Sequence, residues 1–234
     1  VTSYSPADPL PYDTTHYWQV RAVNAFGHTY ADGGSFWSFT TASPTILQAS
    51  FRSVGAYDGW VLERDETSGK GGSVDAAATT ARLGDNETDY QYRAILHFDT
   101  SALPDNAVVT GVTLRIKKVQ IIGANPFTTH GYLKVDMRTG AFHDDPTLEK
   151  LDFHAIGTRG NVGRFIKVAS DGWYRAPLRA PAYPLVNLTG STQFRLRFDL
   201  DDDDDLAAVY LIFLTGEQPD PADRPQLVIN YYVP

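Results

Sequence analysis

The residues best suited to chemistry in this sequence form a run of aspartates. Six of the seven positions from 199 to 205 carry Asp, directly after a segment that alternates like a β-strand. Ca²⁺ binds about six to eight oxygen ligands, and carboxylates at alternate loop positions supply several of them. The spacing predicts a structural Ca²⁺ site formed by Asp199, Asp201, Asp203 and Asp205, with Mg²⁺ less favoured. A solvated acidic loop is an equally weighted alternative.

A second candidate site consists of aromatic side chains. Trp173 and Tyr174 follow an Asp-Gly turn signal, and Tyr90 precedes an alternating segment. Exposed aromatic patches mark binding surfaces, and flat rings stack on sugars, so these three residues predict a carbohydrate-binding platform. A place in the core is the alternative, because that is the commoner position of Trp in a β-sandwich. We expect a core position for Trp60.

The sequence does not contain the common motifs of catalysis. Its six histidines show no H-E-x-x-H pair, and the G-x-S-x-G, P-loop and dinucleotide-binding patterns are missing. His143, Asp144 and Asp145 are adjacent, but a loop histidine beside a helix cap explains them better than a metal site does. Paired carboxylates for glycoside hydrolysis have no fixed spacing in sequence. We predict that the protein is not an enzyme.

Composition narrows the classes of partner. The chain has 234 residues, of which 28 are acidic and 20 basic, so its formal net charge is −8. Most of that excess lies in the aspartate run, and no basic stripe is present, so we expect no nucleic-acid partner. No apolar segment has the length of a membrane-spanning helix. Cysteine is absent, which excludes disulfides and thiolate metal sites.

The segments that must position these residues have the period of β-strands. Four of them carry apolar side chains at every second position, at residues 92–98, 112–116, 133–137 and 194–198. This alternation predicts antiparallel strands with one buried face. Two more continuously apolar runs, 209–214 and 227–232, are predicted to be central strands. With many turn signals between them, the strands predict an all-β fold, a jelly-roll-like antiparallel β-sandwich over residues 44–234.

One short helix is expected within this sandwich. Asp144, Asp145 and Pro146 can cap and begin it, because Pro is favoured at the first position of a helix. Leu148, Leu151 and Phe153 would give it a weakly apolar side over about two turns. The rest of the chain is predicted to lack helices.

The larger part of the chain carries an ordered series of motifs. They are D-G-W-V at 58–61, R-A-I-L-H-F-D at 93–99, S-A-L-P at 101–104 and R-P-Q-L-V-I-N-Y at 224–231. In this order they resemble the DNRLRE (disaggregatase-related) family of secreted, mostly bacterial and archaeal modules. The resemblance spans nearly all of residues 50–232, although the segment 120–190 is longer than the family pattern explains. It implies an extracellular jelly-roll-like module appended to larger surface proteins or hydrolases, with carbohydrate binding in some members.

The first residues form a different unit. Residues 10–42 contain a Leu-Pro…Thr…Tyr stretch, a Val-Arg-Ala-Val-Asn-Ala strand at 20–25 and a closing Ser-Phe-Thr-Thr strand at 38–41. This stretch resembles the C-terminal half of a fibronectin type III domain, an immunoglobulin-like sandwich. A complete sandwich of that type needs about seven strands and roughly 100 residues. Residues 1–43 are therefore expected to be a partial domain with open edges and a bare apolar face.

Aromatic residues of this partial domain receive separate roles. The resemblance places Tyr17 at the tyrosine corner, where its hydroxyl would bond to the backbone. Trp18, Trp37 and Phe39 are predicted to face outward on adjacent strands and to form an assembly interface. Strands from another copy or from a neighbouring β domain would then complete the sandwich.

Two functions remain open at this point. The first is a non-catalytic, extracellular structural or adhesive protein of a microbial cell surface, assembled into a filament by strand complementation through residues 1–43. The alternative is a C-terminal carbohydrate-binding module of a secreted hydrolase, with a polysaccharide as its partner. Both imply a secreted β-protein, and either accommodates a structural Ca²⁺ ion.

Overall fold

The computed structural model describes residues 3–234, which contain sixteen β-strands and one short α-helix. Four strands lie in the N-terminal region: β1 (Thr15–Trp18), β2 (Arg21–Asn24), β3 (Gly27–Tyr30) and β4 (Trp37–Thr40). The others are β5 (Leu47–Arg52), β6 (Gly59–Glu63), β7 (Gly71–Asp75), β8 (Thr80–Asp85), β9 (Gln91–Asp99), β10 (Val108–Ile122), β11 (Lys134–Thr139), β12 (Arg159–Arg164), β13 (Trp173–Pro177), β14 (Ser191–Arg197), β15 (Val209–Leu214) and β16 (Gln226–Tyr232). The helix α1 spans Pro126–Thr129. Single 3₁₀ turns occupy Ala31–Gly34, Gly55–Tyr57, Phe142–Asp144, Lys150–Phe153, Ala180–Leu185 and Pro221–Asp223.

Strands β5–β16 form one antiparallel sheet that curls into a sandwich. Its strand order is β12-β11-β14-β9-β8-β15-β10-β16-β5, with β13 paired to β10 and β6 paired to both β7 and β9. The long strand β10 belongs to both layers, because residues 108–117 pair with β16 and β13 whereas residues 118–122 pair with β15. A register shift between Lys118 and Gln120 marks the change. The predicted all-β sandwich is thereby confirmed.

The main core lies between these two layers. Alternate residues of β9, β10, β11 and β14 face it, among them Leu96, Leu114, Val135 and Phe194, each 0% exposed. The period-two segments of the sequence are therefore strands with one buried face, as predicted. Strands β15 and β16 each lie between two neighbours, as their apolar sequences indicated.

A second, smaller core covers the outer face of one layer. Residues 142–155 cross over β6 and β9, and Phe142, Leu148 and Phe153 pack there against Val61 and Ile95. This segment contains the predicted helix, but it forms only the two 3₁₀ turns Phe142–Asp144 and Lys150–Phe153. The helix prediction for it is wrong, because its buried apolar residues pack along the sheet face rather than around one side of a helix, and Leu151 is 48% exposed.

The helix forms instead at Asn125-Pro126, one of the turn signals between the predicted strands. The Asn125 side chain accepts a hydrogen bond from the backbone N–H of Phe127 at 3.1 Å, and Pro126 occupies the first turn. This is an N-cap followed by a Pro at the position that tolerates it best. Within residues 3–234 no helix is long and apolar enough to cross a membrane.

The N-terminal region forms two separate ribbons. Strand β1 pairs with β4, and β2 pairs with β3, without a ladder that joins the two ribbons. Tyr17 is 71% exposed, so it does not occupy the buried tyrosine corner that the resemblance implied. The ribbons meet the sandwich where Tyr12 packs edge-on against Tyr232, with ring centroids 5.5 Å apart.

Candidate functional site

The aspartate run forms the loop between β14 and β15, and its backbone does not stay extended. Asp204 and Leu206 both adopt the left-handed conformation, with φ of 56°. Side chains along the loop therefore cease to alternate between two faces, on which the four-aspartate prediction depended. Of the four predicted ligands, Asp203 alone belongs to a cluster of metal-ligating side chains within residues 3–234.

The other three predicted ligands lie in different surroundings. Asp199 forms an ion pair with Lys134. Asp205 is exposed, and its Oδ1 accepts a hydrogen bond from the N–H of Ala207 at 2.8 Å. Asp201 is exposed and lies outside the cluster. The structure therefore does not bring the four predicted ligands together: Asp199 and Asp205 have other partners, and Asp201 lies outside the cluster.

A different cluster joins one loop aspartate to two residues from other elements. Asp85 is the last residue of β8, His130 follows α1 directly, and Asp203 lies in the loop. Each offers one ligand atom, and these three atoms lie within 4.8 Å of one another. Asp85 and His130 are fully buried, whereas Asp203 is half-buried. We call these three residues the Asp-His-Asp cluster.

Neighbouring groups fix how the two buried members are oriented. Nδ1 of His130 lies 2.6 Å from Oγ1 of Thr129, and Nε2 of the same ring lies 3.1 Å from Oδ1 of Asp85. That carboxylate oxygen also accepts the N–H of Val209 at 3.2 Å, across the β8–β15 pair. The imidazole therefore turns Nε2 toward the two carboxylates of the cluster.

Negative charge accumulates around the cluster. Burial, then the proximity of Asp201 and Asp204, raises the pKa of Asp202 to about 6. Burial and then Asp205 raise the pKa of Asp203. Both shifts reflect carboxylates that are crowded together and partly removed from water. An arrangement of this kind favours a bound cation.

Sequence reasoning missed Asp85 and His130. Their distance from Asp203 along the chain hides the cluster, which forms only because β8 pairs with β15 and α1 lies at the same end of the sheet. One signal was available: Asp85 ends an alternating strand and Asn86 begins a turn, which places the carboxylate at a sheet end. The strand order was needed to connect it with the aspartate run.

The predicted sugar platform is not exposed. Trp173 and Tyr174 are only 9% and 3% exposed, and this contradicts a stacking surface formed by them. Tyr174 faces the main core and packs on Phe127, with ring centroids 5.1 Å apart, whereas the Arg115 guanidinium covers the Trp173 ring at 4.8 Å. These two residues are neighbours on β13 and both are buried, so both faces of the strand are covered at this point.

Tyr90, the third predicted sugar-binding residue, is half-buried, and so is Trp60, the expected core tryptophan. The backbone N–H of Tyr90 donates to Oδ1 of Asn86 at 3.0 Å, which holds the turn before β9. Trp60 packs against the main core and meets Tyr92 edge-on at 5.2 Å, in line with its expected core position. Without the other two rings, Tyr90 is a single aromatic side chain rather than part of a platform.

A different aromatic residue is exposed beside several cations. Tyr132 is 44% exposed, and its ring lies 4.5 Å from the Arg164 guanidinium carbon and 4.7 Å from Nζ of Lys167. Strand pairing places Arg164, Lys134 and Arg197 side by side across β12, β11 and β14. We call these five residues the Tyr132 surface. Sequence reasoning missed it because its cations come from separate strands.

The predicted assembly residues lie on the first ribbon of the N-terminal region. Trp18 and Trp37 are direct partners in the β1–β4 ladder, and their ring centroids are 4.8 Å apart. Trp18 and Phe39 are each 46% exposed, and Trp37 is half-buried. The two tryptophans therefore contact each other while each keeps part of its ring accessible.

Comparison with known proteins adds no family assignment. No family model matches the chain, and no curated protein matches it. The resemblances to the DNRLRE family and to fibronectin type III domains thus remain predictions that rest on the motifs quoted above.

Proposed function

We propose that the protein is a non-catalytic structural or adhesive module of a microbial cell surface, which assembles through its N-terminal ribbons. The partner we propose is a second copy of the chain, whose β-strand is added to the open ribbon edges. The motif resemblances support an extracellular setting. The observation that carries the proposal is the exposure of the N-terminal region.

None of the described residues from 3 to 50 is buried. Large apolar side chains are exposed there, including Phe26 at 99%, Val23 at 67% and Phe36 at 65%. An isolated two-stranded ribbon is at best marginally stable in water, and its unpaired edges are templates for further strands. Added strands would cover this apolar surface and satisfy the edge groups in one step.

The geometry of such a contact favours a chain of copies. A strand donated by another part of a neighbouring copy makes a heterologous contact, because the two contacting surfaces differ. Heterologous contacts that do not close into a ring produce filaments. The stacked pair Trp18 and Trp37 offers the aromatic anchors that usually dominate interfaces.

The double variant Trp18→Ser/Trp37→Ser tests this proposal. We expect the wild-type chain to associate with increasing concentration in sedimentation velocity and native mass spectrometry, and the double variant to stay monomeric. Val168→Ser is the matched control, because Val168 is 76% exposed on the sandwich. It should associate like the wild type. A wild-type chain that remains monomeric at its solubility limit would contradict the proposal.

Binding of an acidic polysaccharide is a second candidate function, and the Tyr132 surface favours it. Sugar rings stack on exposed aromatic side chains, and flanking cations attract carboxylates or sulfates. Tyr132 combines both features, since Arg164 and Lys167 lie against its ring. The proposed sugar site is thus the Tyr132 surface rather than the predicted platform of Trp173 and Tyr174.

Affinity electrophoresis with acidic and neutral polysaccharides tests the second function. The Tyr132→Ala variant should lose retardation by an acidic polysaccharide, and added salt should weaken it in the wild type. Tyr4→Ala is the matched control, because Tyr4 is 88% exposed and far from the cations in sequence. Equal mobility of all three proteins in every polysaccharide gel would exclude this site.

A further inference from the structure

Three polar atoms of the Asp-His-Asp cluster lack hydrogen-bond partners. They are Oδ2 of Asp85, Nε2 of His130 and Oδ1 of Asp203. Asp85 and His130 are 0% exposed, and all three atoms are shielded from bulk solvent. Burying an unsatisfied polar atom costs free energy, and such atoms in folded proteins call for a specific explanation.

An ion pair within the cluster explains only part of this pattern. Nε2 of His130 and Oδ1 of Asp85 are 3.1 Å apart, but their geometry does not form a hydrogen bond. The pair would also leave Oδ2 of Asp85 and Oδ1 of Asp203 unsatisfied. Among the described residues, no Lys or Arg forms a salt bridge with any residue of 201–205. A positive charge is therefore missing from this part of the molecule.

We propose that Asp85, His130 and Asp203 bind a divalent transition-metal ion such as Zn²⁺. Zn²⁺ accepts both imidazole nitrogen and carboxylate oxygen as ligands, and water can complete a set of three protein ligands to four-coordination. The imidazole favours Zn²⁺ and its neighbours over Ca²⁺, which takes oxygen ligands. Each unpartnered atom of the cluster would become a ligand.

The surroundings of His130 fit this role. Metal-binding histidines commonly donate their other ring N–H to a nearby oxygen, which fixes the ring and its tautomer. Here Nδ1 lies 2.6 Å from Oγ1 of Thr129. With the proton on Nδ1, the lone pair of Nε2 points toward Asp85 and Asp203.

The ion would hold three separate elements together. Asp85 ends β8, His130 follows α1, and Asp203 belongs to the loop between β14 and β15. A divalent charge would also offset repulsion among the carboxylates of 201–205. The site thus acts as a clamp on the acidic loop, and it does not depend on the proposed assembly function.

Zinc titration of the EDTA-treated full chain tests the proposal. We expect one Zn²⁺ per chain in native mass spectrometry and isothermal titration calorimetry, together with a higher Tm. A ligand that binds only the native state raises stability in this way. Asp203→Asn should weaken zinc binding by more than roughly tenfold, a loss expected when a metal site is damaged. Asp204→Asn, which removes the same charge from an exposed neighbour, should bind like the wild type.

His130→Ala should abolish zinc binding. If His130→Ala does not fold, the zinc affinity of Asp203→Asn decides whether the cluster binds the ion. Co²⁺ provides an independent readout, because its visible absorption reports a nitrogen-containing tetrahedral site. Equal zinc affinity in Asp203→Asn and Asp204→Asn would overturn the proposal. So would the absence of zinc binding, or Ca²⁺ stabilisation equal to that of Zn²⁺.

Discussion

The two parts of this chain use similar residues but differ in what those residues contact. In the sandwich, Phe98 and Phe194 are fully buried and pack edge-on with centroids 5.8 Å apart. In the N-terminal region, Trp18 and Trp37 also pair across two strands, yet Trp18 stays 46% exposed. The difference is the second layer: the sandwich covers its apolar faces with another sheet, whereas the ribbons have none in the described structure.

This comparison shows that strand pairing and stability are separate matters. Both regions form antiparallel ladders of regular register. Backbone hydrogen-bond ladders alone contribute little to the free energy of folding, because the hydrogen bonds of a ribbon replace hydrogen bonds to water. Burial of apolar surface between layers supplies the main driving force. The proposed assembly would give the ribbons the covering layer that the sandwich already has.

The largest expected effect comes from removing a core ring of the sandwich. Phe98→Ala should lower the free energy of unfolding by about 3–5 kcal/mol, since it removes buried surface and leaves a cavity. Phe39→Ala is the matched change in the ribbons, and it should alter stability by less than about 0.5 kcal/mol. Urea denaturation measures both. Similar losses for the two variants would remove the contrast between the regions.

A buried ion pair on the outer face of the sandwich comes next. Oδ2 of Asp136 accepts hydrogen bonds from Arg195 at 3.0 Å and Arg197 at 2.9 Å, and the carboxylate is almost fully buried. Asp136→Asn should cost about 3 kcal/mol, because it leaves the buried Arg195 without its counter-charge. Asp144→Asn breaks an exposed pair with Arg138 and should barely change the urea midpoint. Equal urea midpoints for Asp136→Asn and Asp144→Asn would show that the buried ion pair contributes no more to stability than the exposed pair does.

The smallest expected effect concerns pH. Asp58 is fully buried, and burial raises its pKa from 3.8 to about 7, although the N–H groups of His97 and Gly216 donate to it. The folded chain thus holds this proton more tightly than the unfolded chain does. The resulting stability is complete below pH 3.8 and is lost as pH rises through about 7.

Urea denaturation at several pH values measures this contribution. As pH rises from 5.5 to 7, deprotonation of Asp58 should lower the free energy of unfolding of the wild type by about 1–2 kcal/mol. Asp58→Asn should remove that slope, whatever its effect on stability at a single pH. If wild type and variant lose stability in parallel over this range, Asp58 does not titrate as described.

Much of the sandwich could be predicted from the sequence, because its strands carry a simple period. Leu96 and Leu114 lie on inward positions of alternating segments and are buried as expected. The helix was misplaced, since the apolar residues near Leu148 pack on a sheet rather than on one helix face. The local sequence pattern indicates which face of a strand or helix is apolar, but it does not indicate which part of the molecule covers that face.

The candidate sites were harder to predict, because they depend on the strand order. Asp203 was among the predicted metal ligands, but Asp85 and His130 join it only through the pairing of β8 with β15 and the position of α1. For Trp173 the sequence left a sugar platform and a core position open, and Arg115 from the neighbouring strand covers its ring. Cross-strand neighbours of this kind leave no local signal in the sequence.

Amide hydrogen exchange followed by mass spectrometry tests the central claim most directly. In a dilute solution of single chains, residues 15–40 should exchange almost without protection, whereas β9 and β14 should stay protected. At concentrations where copies associate, exchange in 15–40 should slow while the sandwich remains unchanged. If residues 15–40 are as protected as β9 in the dilute monomer, the ribbons are stable on their own, and the account of their assembly is contradicted.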